Sequence, residues 1–346
     1  MSPVVEMRQT TKSRATSEFL YAFQIKFLED IPEAFQTEYE KSCDTHGIPL
    51  VAFFSPAIFW PTARSVVNAP PKVILLFTDA LHMITATKSR GAVLLEVPRS
   101  RLLAYGIAEF VLDCWFTLYY GPDASATTII PFPARAIGFY RGLSRRLWAW
   151  SSQNKEQCFV RPAPLGFFLS GRLPRKFSHF LQNHPEIRLR PQSFLQPALV
   201  MPRSHHPFWP NLLLGLTDDK LVVLCDQYDG YTSKSGLEAT VLPLRTVKRI
   251  TWINRRILRQ ARIAIDVERH GRSLRFSWPT SPRLRTAAMN WIERANVSMS
   301  FASQQERDLQ RPAPMSTLVE MCGHANRNAP LREVGTEITD RHDRAR

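Results

Sequence analysis

The sequence predicts an α+β fold of two duplicated units, each running strands first and a closing helix last. Three observations predict it. Ordered blocks recur at a nearly constant offset, polar turn signals separate short apolar runs, and near the end of each copy the apolar spacing changes from strand-like to helical. Ile31-Pro32-Glu33-Ala34-Phe35 returns as Leu173-Pro174-Arg175-Lys176-Phe177, an offset of 142. SPAIFWP, from Ser55, matches QPALVMP, from Gln196, at 141, and PKVILLFTD, from Pro71, matches PNLLLGLTD, from Pro210, at 139. Pro98 corresponds to Pro243 at 145, and IIPFPARAIGFYRGLSRRLWAW, from Ile129, parallels RFSWPTSPRLRTAAMNWIERA, from Arg275. Drift of a few residues is what loop insertions between fixed elements produce. One ancestral unit is therefore read twice, as residues 20–150 and 163–298.

The elements follow in order. Asp30–Ser42 and Pro174–Asn183 are helix-like segments ahead of each set of strands. In the second copy Leu212–Leu216 and Leu221–Cys225 are apolar runs flanking the turn Thr217-Asp218-Asp219-Lys220. Ala239–Ile253 reads as one extended segment entered through Pro243. Ile263, Ile265 and Val267 alternate with Arg262 and Asp266, a period of two, and Arg269-His270-Gly271 turns the chain into Ser273–Trp278. Leu284, Ala288, Trp291 and Ile292 then fall at helical spacing, predicting an amphipathic helix over Arg283–Asn296. Its counterpart in the first copy is Ala136–Trp150. Residues 1–19 read as a disordered leader, 151–162 as a linker and 299–346 as a mostly disordered tail. Whether the copies form separate barrels or share a sheet is open at this point.

Composition narrows the class. The chain has 346 residues, enough for about two domains, and no apolar run of the ~18 residues needed to span a bilayer. The N-terminus lacks an apolar secretory core, and five scattered cysteines suggest a reducing compartment. A cytoplasmic protein, peripheral at a membrane if it meets one, is expected. Hydrophobic residues at 44% and charged residues at 22% exclude a disordered chain.

The Thr-Asp turn, the "V/L-P-x" strand at Pro98 and Pro243, the alternating hairpin and the terminal helix resemble the pleckstrin-homology-like superfold, closest to its GRAM and bacterial PH-like branches. The resemblance covers about Lys72–Trp150 and Asn211–Asn296. It implies a bent antiparallel sheet or small barrel capped by a C-terminal helix in each unit. It also implies binding at loop rims, to lipid or protein partners.

Charge is concentrated in one copy. The net charge is +15, yet residues 20–150 hold 12 Lys+Arg against 11 Asp+Glu while residues 163–298 hold 21 against 9. From Arg245 to Arg285 there are 12 basic residues and two acidic ones. Lys248, Arg249, Arg255, Arg256, Arg259, Arg262, Arg272 and Arg275 are the candidate anion-binding residues, with the Arg255-Arg256 turn at one sheet edge. Arginine forks suit bidentate phosphate contact. The bland alternative is a solvated strand face.

Catalytic and metal motifs are weak. Asp79 and Asp218/Asp219 sit in turns where local Asx hydrogen bonds are the expectation. His205-His206 and Cys322-Gly323-His324 lack further ligands at usual spacing, and no Walker A, G-x-S-x-G, G-x-G-x-x-G or H-E-x-x-H occurs. Trp115, Phe116, Tyr119, Tyr120, Trp148 and Trp150 read as packing residues. The expectation is a non-enzymatic binding or adaptor protein with no catalytic residue, no metal and no cofactor. Its basic second copy would contact an anionic phospholipid surface or an acidic protein. The alternatives are a nucleic-acid-associated protein using the arginines as a phosphate clamp, or a structural scaffold subunit.

Overall fold

The computed structural model describes residues 22–61, 66–87, 91–110, 113–121, 127–151, 173–190, 193–200, 207–228, 235–255, 260–269 and 271–310. The chain divides into two compact units, residues 1–302 and 303–346, and the architecture below belongs to the first, apart from the end of the last helix, which runs on into the second. It is α+β. The first half contains β1 (Phe23–Gln24), α1 (Glu33–His46), β2 (Val51–Ser55), β3 (Ile58–Pro61), β4 (Val66–Ala69), β5 (Lys72–Leu76), β6 (Ala80–Thr87), β7 (Gly91–Pro98), β8 (Ala104–Glu109), β9 (Asp113–Tyr119), β10 (Thr127–Pro133) and α2 (Ile137–Ser151). The second contains α3 (Arg175–Asn183), β11 (Phe194–Gln196), β12 (Leu199–Val200), β13 (Pro207–Trp209), β14 (Leu212–Leu216), β15 (Lys220–Tyr228), β16 (Ser235–Pro243), β17 (Val247–Arg255), β18 (Gln260–Arg269), β19 (Arg272–Thr280) and α4 (Arg285–Gln310).

Local chemistry repeats with the order of the elements. Pro32 and Pro174 precede the first turns of α1 and α3, where a missing backbone N–H costs nothing, and Phe35 and Phe177 bury one turn further on. Pro98 and Pro243 each end a strand and open a 3-10 turn. The amide after each proline donates to a carbonyl in the preceding turn: Arg99 N to Asp79 O at 2.7 Å, and Leu244 N to Asp219 O at 2.9 Å. The structural register thus equates Asp79 with Asp219, one residue away from the sequence alignment. The continuous strand expected over Ala239–Ile253 is broken at Pro243 into β16 and β17. The closing helix also runs past Asn296 to Gln310, into the segment expected to be tail.

Among the described residues three antiparallel sheets form, with the ribbons β3–β4 and β12–β13 beside them, and none closes into a barrel. The first has the order β1-β2-β5-β6-β7, the third β17-β18-β19. The central sheet, β10-β9-β8-β16-β15-β14-β11, joins the halves: β8 pairs antiparallel with β16, from Tyr105 opposite Val241 to Glu109 opposite Leu237. Its alternating side chains feed two cores. One face packs Tyr105, Phe116, Phe132, Val222 and Leu224 against Tyr140 and Leu147 of α2 and Phe177 and Phe180 of α3. The other packs Leu212, Leu214, Leu221 and Val223 against Ile263 and Ile265 of β18 and Trp291 of α4. A third core lies under α1, where Phe35 meets Phe54, Val73, Leu75 and Ile84.

Gly215 shows how tightly the central sheet is covered. A Cβ built there would stand 2.6 Å from Leu189 Cδ2. Gly215→Ala is expected to lower stability by about 1–3 kcal/mol, read from the denaturant midpoint, because Leu189 must leave its seat.

Side-chain contacts join the halves and brace the helices on the central sheet. Lys220, fully buried, places Nζ 4.5 Å over the Trp148 ring, and Tyr119 meets Phe276 edge-on at 4.9 Å. Arg269 Nη1 donates to Arg99 O and Leu102 O, both at 3.3 Å. Arg141 of α2 grips Glu109 of β8 with two bonds, at 2.6 and 2.9 Å. His184 follows α3 and is 0% exposed; its Nδ1 lies 2.9 Å from Glu186, and its Nε2 is 3.7 Å from Glu109, an ion-pair separation. Arg145 completes the chain 3.7 Å from Glu186. Burial pushes the Glu109 carboxyl up, but His184 and Arg141 outweigh this and hold it at about 2. Burial disfavours the His184 imidazolium, yet Glu109 and Glu186 raise its pKa above the ordinary value.

Candidate functional site

The basic strip folds into the third sheet. Its strands pair in register, so Arg249, Asp266 and Arg275 stand side by side across β17, β18 and β19. Period-two alternation sends Ile263, Ile265 and Val267 into the core and leaves this row on the opposite, open face. The Arg249 side chain is 61% exposed and that of Arg275 54%. Asp266 accepts from Arg249 Nη2 at 3.3 Å and from Arg275 Nη2 at 3.0 Å. The Arg275 hydrogen bond, with Arg249 behind it, lowers the Asp266 pKa. Lys248, exposed, pairs with Glu268 across the hairpin.

The sequence-predicted residues separate into groups. Lys248, Arg249 and Arg275 share the neighbourhood of Asp266 and Glu268. Arg262 is committed to the neighbouring strand β19, donating Nη2 to Ser277 O at 2.9 Å and Nε to Ser277 Oγ at 3.1 Å. Arg255 ends β17 opposite Gln260, and Arg272 opens β19 opposite Arg269. Arg256 and Arg259 lie outside the described residues, as do His205-His206 and Cys322-Gly323-His324. The turn aspartates differ from expectation. The Asp79 carboxylate reaches His46 Nδ1 at 2.9 Å, Asp218 meets Arg190 at 3.3 Å, and Asp219 meets Lys220 Nζ at 2.6 Å. The local turn bond is made instead by Thr217 Oγ1, which accepts from Lys220 N at 3.0 Å.

A cleft of about 440 Å³ opens between β19 and the central sheet, lined by Tyr119, Asp226, Glu238, Arg262, Arg275 and Phe276 among others. Sequence reasoning gave no sign of it, because its wall is built from strands of both halves. Its charges are balanced and partly committed: Asn211 Nδ2 donates to Asp226 at 2.5 Å, and Lys176 stands 3.6 Å from the same carboxylate. Burial pushes the Cys225 thiol up and holds it protonated, which removes it as a nucleophile. The cleft offers hydrogen bonds and an aromatic edge rather than an activated group.

No helix among the described residues is long and apolar enough to cross a membrane. No family model matches the chain, and no curated protein matches it.

Proposed function

We propose that the chain is a non-enzymatic binding protein of two fused pleckstrin-homology-like halves, and that the second lays its basic sheet on an anionic phospholipid surface. The recurring order of a four-strand meander, a three-strand meander and a closing helix supports the PH-like reading, with the central sheet as its departure from independent modules. The observation that carries the binding reading is the open face of β17–β19. Both acidic residues of the strip, Asp266 and Glu268, are engaged there by Lys248, Arg249 and Arg275, and the face keeps an excess of exposed positive charge. The Lys248–Glu268 pair is exposed and worth about 0–1 kcal/mol, so a lipid phosphate can exchange for that carboxylate at little cost, while Asp266, only 16% exposed, keeps Arg249 and Arg275 side by side.

Flotation with neutral and anionic vesicles, at two salt concentrations and with a short DNA duplex as competitor, tests the proposal. Anion-selective flotation that survives the duplex is expected. Two variants should then move in opposite directions. Asp266→Asn releases two guanidinium groups and adds one positive charge, raising partitioning about fivefold. Lys248→Gln/Arg255→Gln/Arg256→Gln, which removes three positive charges, should lower it on the order of 100-fold. Absence of flotation would overturn the lipid reading, and loss of binding to the duplex would favour the nucleic-acid alternative. A stable acidic partner on purification, with no flotation, would favour an adaptor.

A further inference from the structure

The first half holds a polar cluster that neither its core nor the basic face uses. His46 is the last residue of α1, which stops at Gly47, where φ is +79°. His82 lies on β6 directly opposite Glu96 on β7, on the side of the first sheet that α1 covers. One donor atom from each of His46, His82 and Glu96 lies within 4.8 Å of the other two.

Three observations single the cluster out. His82 is 2% exposed; its Nδ1 is 2.9 Å from Ser42 Oγ, while its buried Nε2 has no hydrogen-bond partner and stands 4.0 Å from Glu96 Oε2. Buried polar atoms are nearly always satisfied, so a bare imidazole nitrogen aimed at a carboxylate calls for a ligand. His46 has its Nδ1 held by the Asp79 carboxylate, which leaves Nε2 available, and its ring meets that of His82 edge-on at 4.6 Å. The second half supplies an internal comparison. β15 and β16 pair in the same register, with Lys220 opposite Pro243 as Ala80 is opposite Pro98, and at the places of His82 and Glu96 they carry Val222 and Val241. The sheet is built equally well from two valines, so the histidine and glutamate are not required by the fold.

We propose that His46, His82 and Glu96 bind a divalent zinc-type ion through two imidazoles and a carboxylate, with a fourth position open. Nitrogen donors exclude a magnesium or calcium preference, and two histidines with one glutamate form a zinc donor set. Asp79 and Ser42 occupy the outer positions that fix ligand tautomers, as a carboxylate behind a zinc-bound histidine does. Zinc bonds of about 2.0–2.2 Å require the three donors to draw closer, and Glu96, 47% exposed, has room to move. Burial lowers the His82 pKa, helped by His46, and keeps the imidazole in its neutral, ligating form. The ion would clip the end of α1 to β7, the edge strand of the first sheet.

The test is calorimetric titration of the metal-stripped full chain with Zn²⁺, with Co²⁺ as a spectroscopic substitute. One saturable site is expected, with the visible absorption of four-coordinate cobalt. Glu96→Gln and His46→Ala should each weaken it on the order of 100-fold, and Asp79→Asn roughly 10-fold. His205→Ala/His206→Ala should leave it unchanged. Glu96 lies at the rim, so its variant keeps the test independent of folding. The proposal is overturned if the wild-type chain shows no saturable Zn²⁺ binding, if Glu96→Gln and His46→Ala bind as tightly as wild type, or if the His205/His206 variant abolishes binding.

Discussion

Tyr140→Ala is expected to lower the unfolding free energy by about 3–5 kcal/mol, measured by urea denaturation. The ring is fully buried in the first turn of α2, stacked on Phe132 at 3.7 Å and meeting Phe53 edge-on at 5.2 Å and Phe116 at 6.0 Å. These partners come from the first sheet and the central sheet, so truncation opens a cavity where three elements converge. The hydroxyl adds a separable part. It donates to Ser55 Oγ at 2.9 Å, and Ser55 is itself buried. Tyr140→Phe keeps the packing and leaves that serine short of a partner, for an expected loss of about 1 kcal/mol. A Phe variant as damaging as Ala would show that the hydrogen bond, and not the ring, holds α2 in place.

Arg141→Ala should also be costly, by about 2–3 kcal/mol, because it removes both hydrogen bonds to the largely buried Glu109 and leaves it only His184, 3.7 Å away. Glu109→Leu/Arg141→Met removes both charges and should be far milder, since an apolar pair has no desolvation cost to recover. The pH dependence follows from the two shifted groups. Glu109 has a folded pKa of about 2 against an ordinary 4.5, so its contribution is complete above the ordinary value and fades as pH falls through 2. His184 is raised above its ordinary 6.5, so its contribution is complete below that value and is lost as pH climbs through the folded pKa. The cluster therefore stabilises most between about pH 4.5 and 6.5. Thermal melts of wild type and His184→Gln should converge on the alkaline side. Parallel curves across that range would show that His184 does not titrate with folding.

What could be read from the amino acids was local. The proline before α1 and α3, the paired aspartate turns and the alternation of Ile263, Ile265 and Val267 are short-range signals, and each marks an element or a turn in the structure. Pairing between halves left no such mark. Ala104–Glu109 and Ser235–Pro243 are ordinary strand segments, and nothing in either names the other as its neighbour. The same limit applies to the candidate site. Positive charge from Arg245 to Arg285 is plain in the sequence, whereas the alignment of Arg249 and Arg275 on Asp266 depends on register across three strands. His46, His82 and Glu96 follow no metal-binding spacing. Their only signal was a histidine in an apolar run, ALHMIT, where the other copy has valine.

The bond between β8 and β16 makes each half the missing piece of the other. Expressed alone, residues 1–151 would carry β8 with one side bare, and residues 173–346 would carry β16 in the same condition. Such edges seek any strand on offer. Either fragment by itself should drift into aggregates, while the two produced together should recombine into a nicked but intact particle. The link between Ser151 and Leu173 would then govern how quickly the halves find each other, with the shared sheet deciding that they stay.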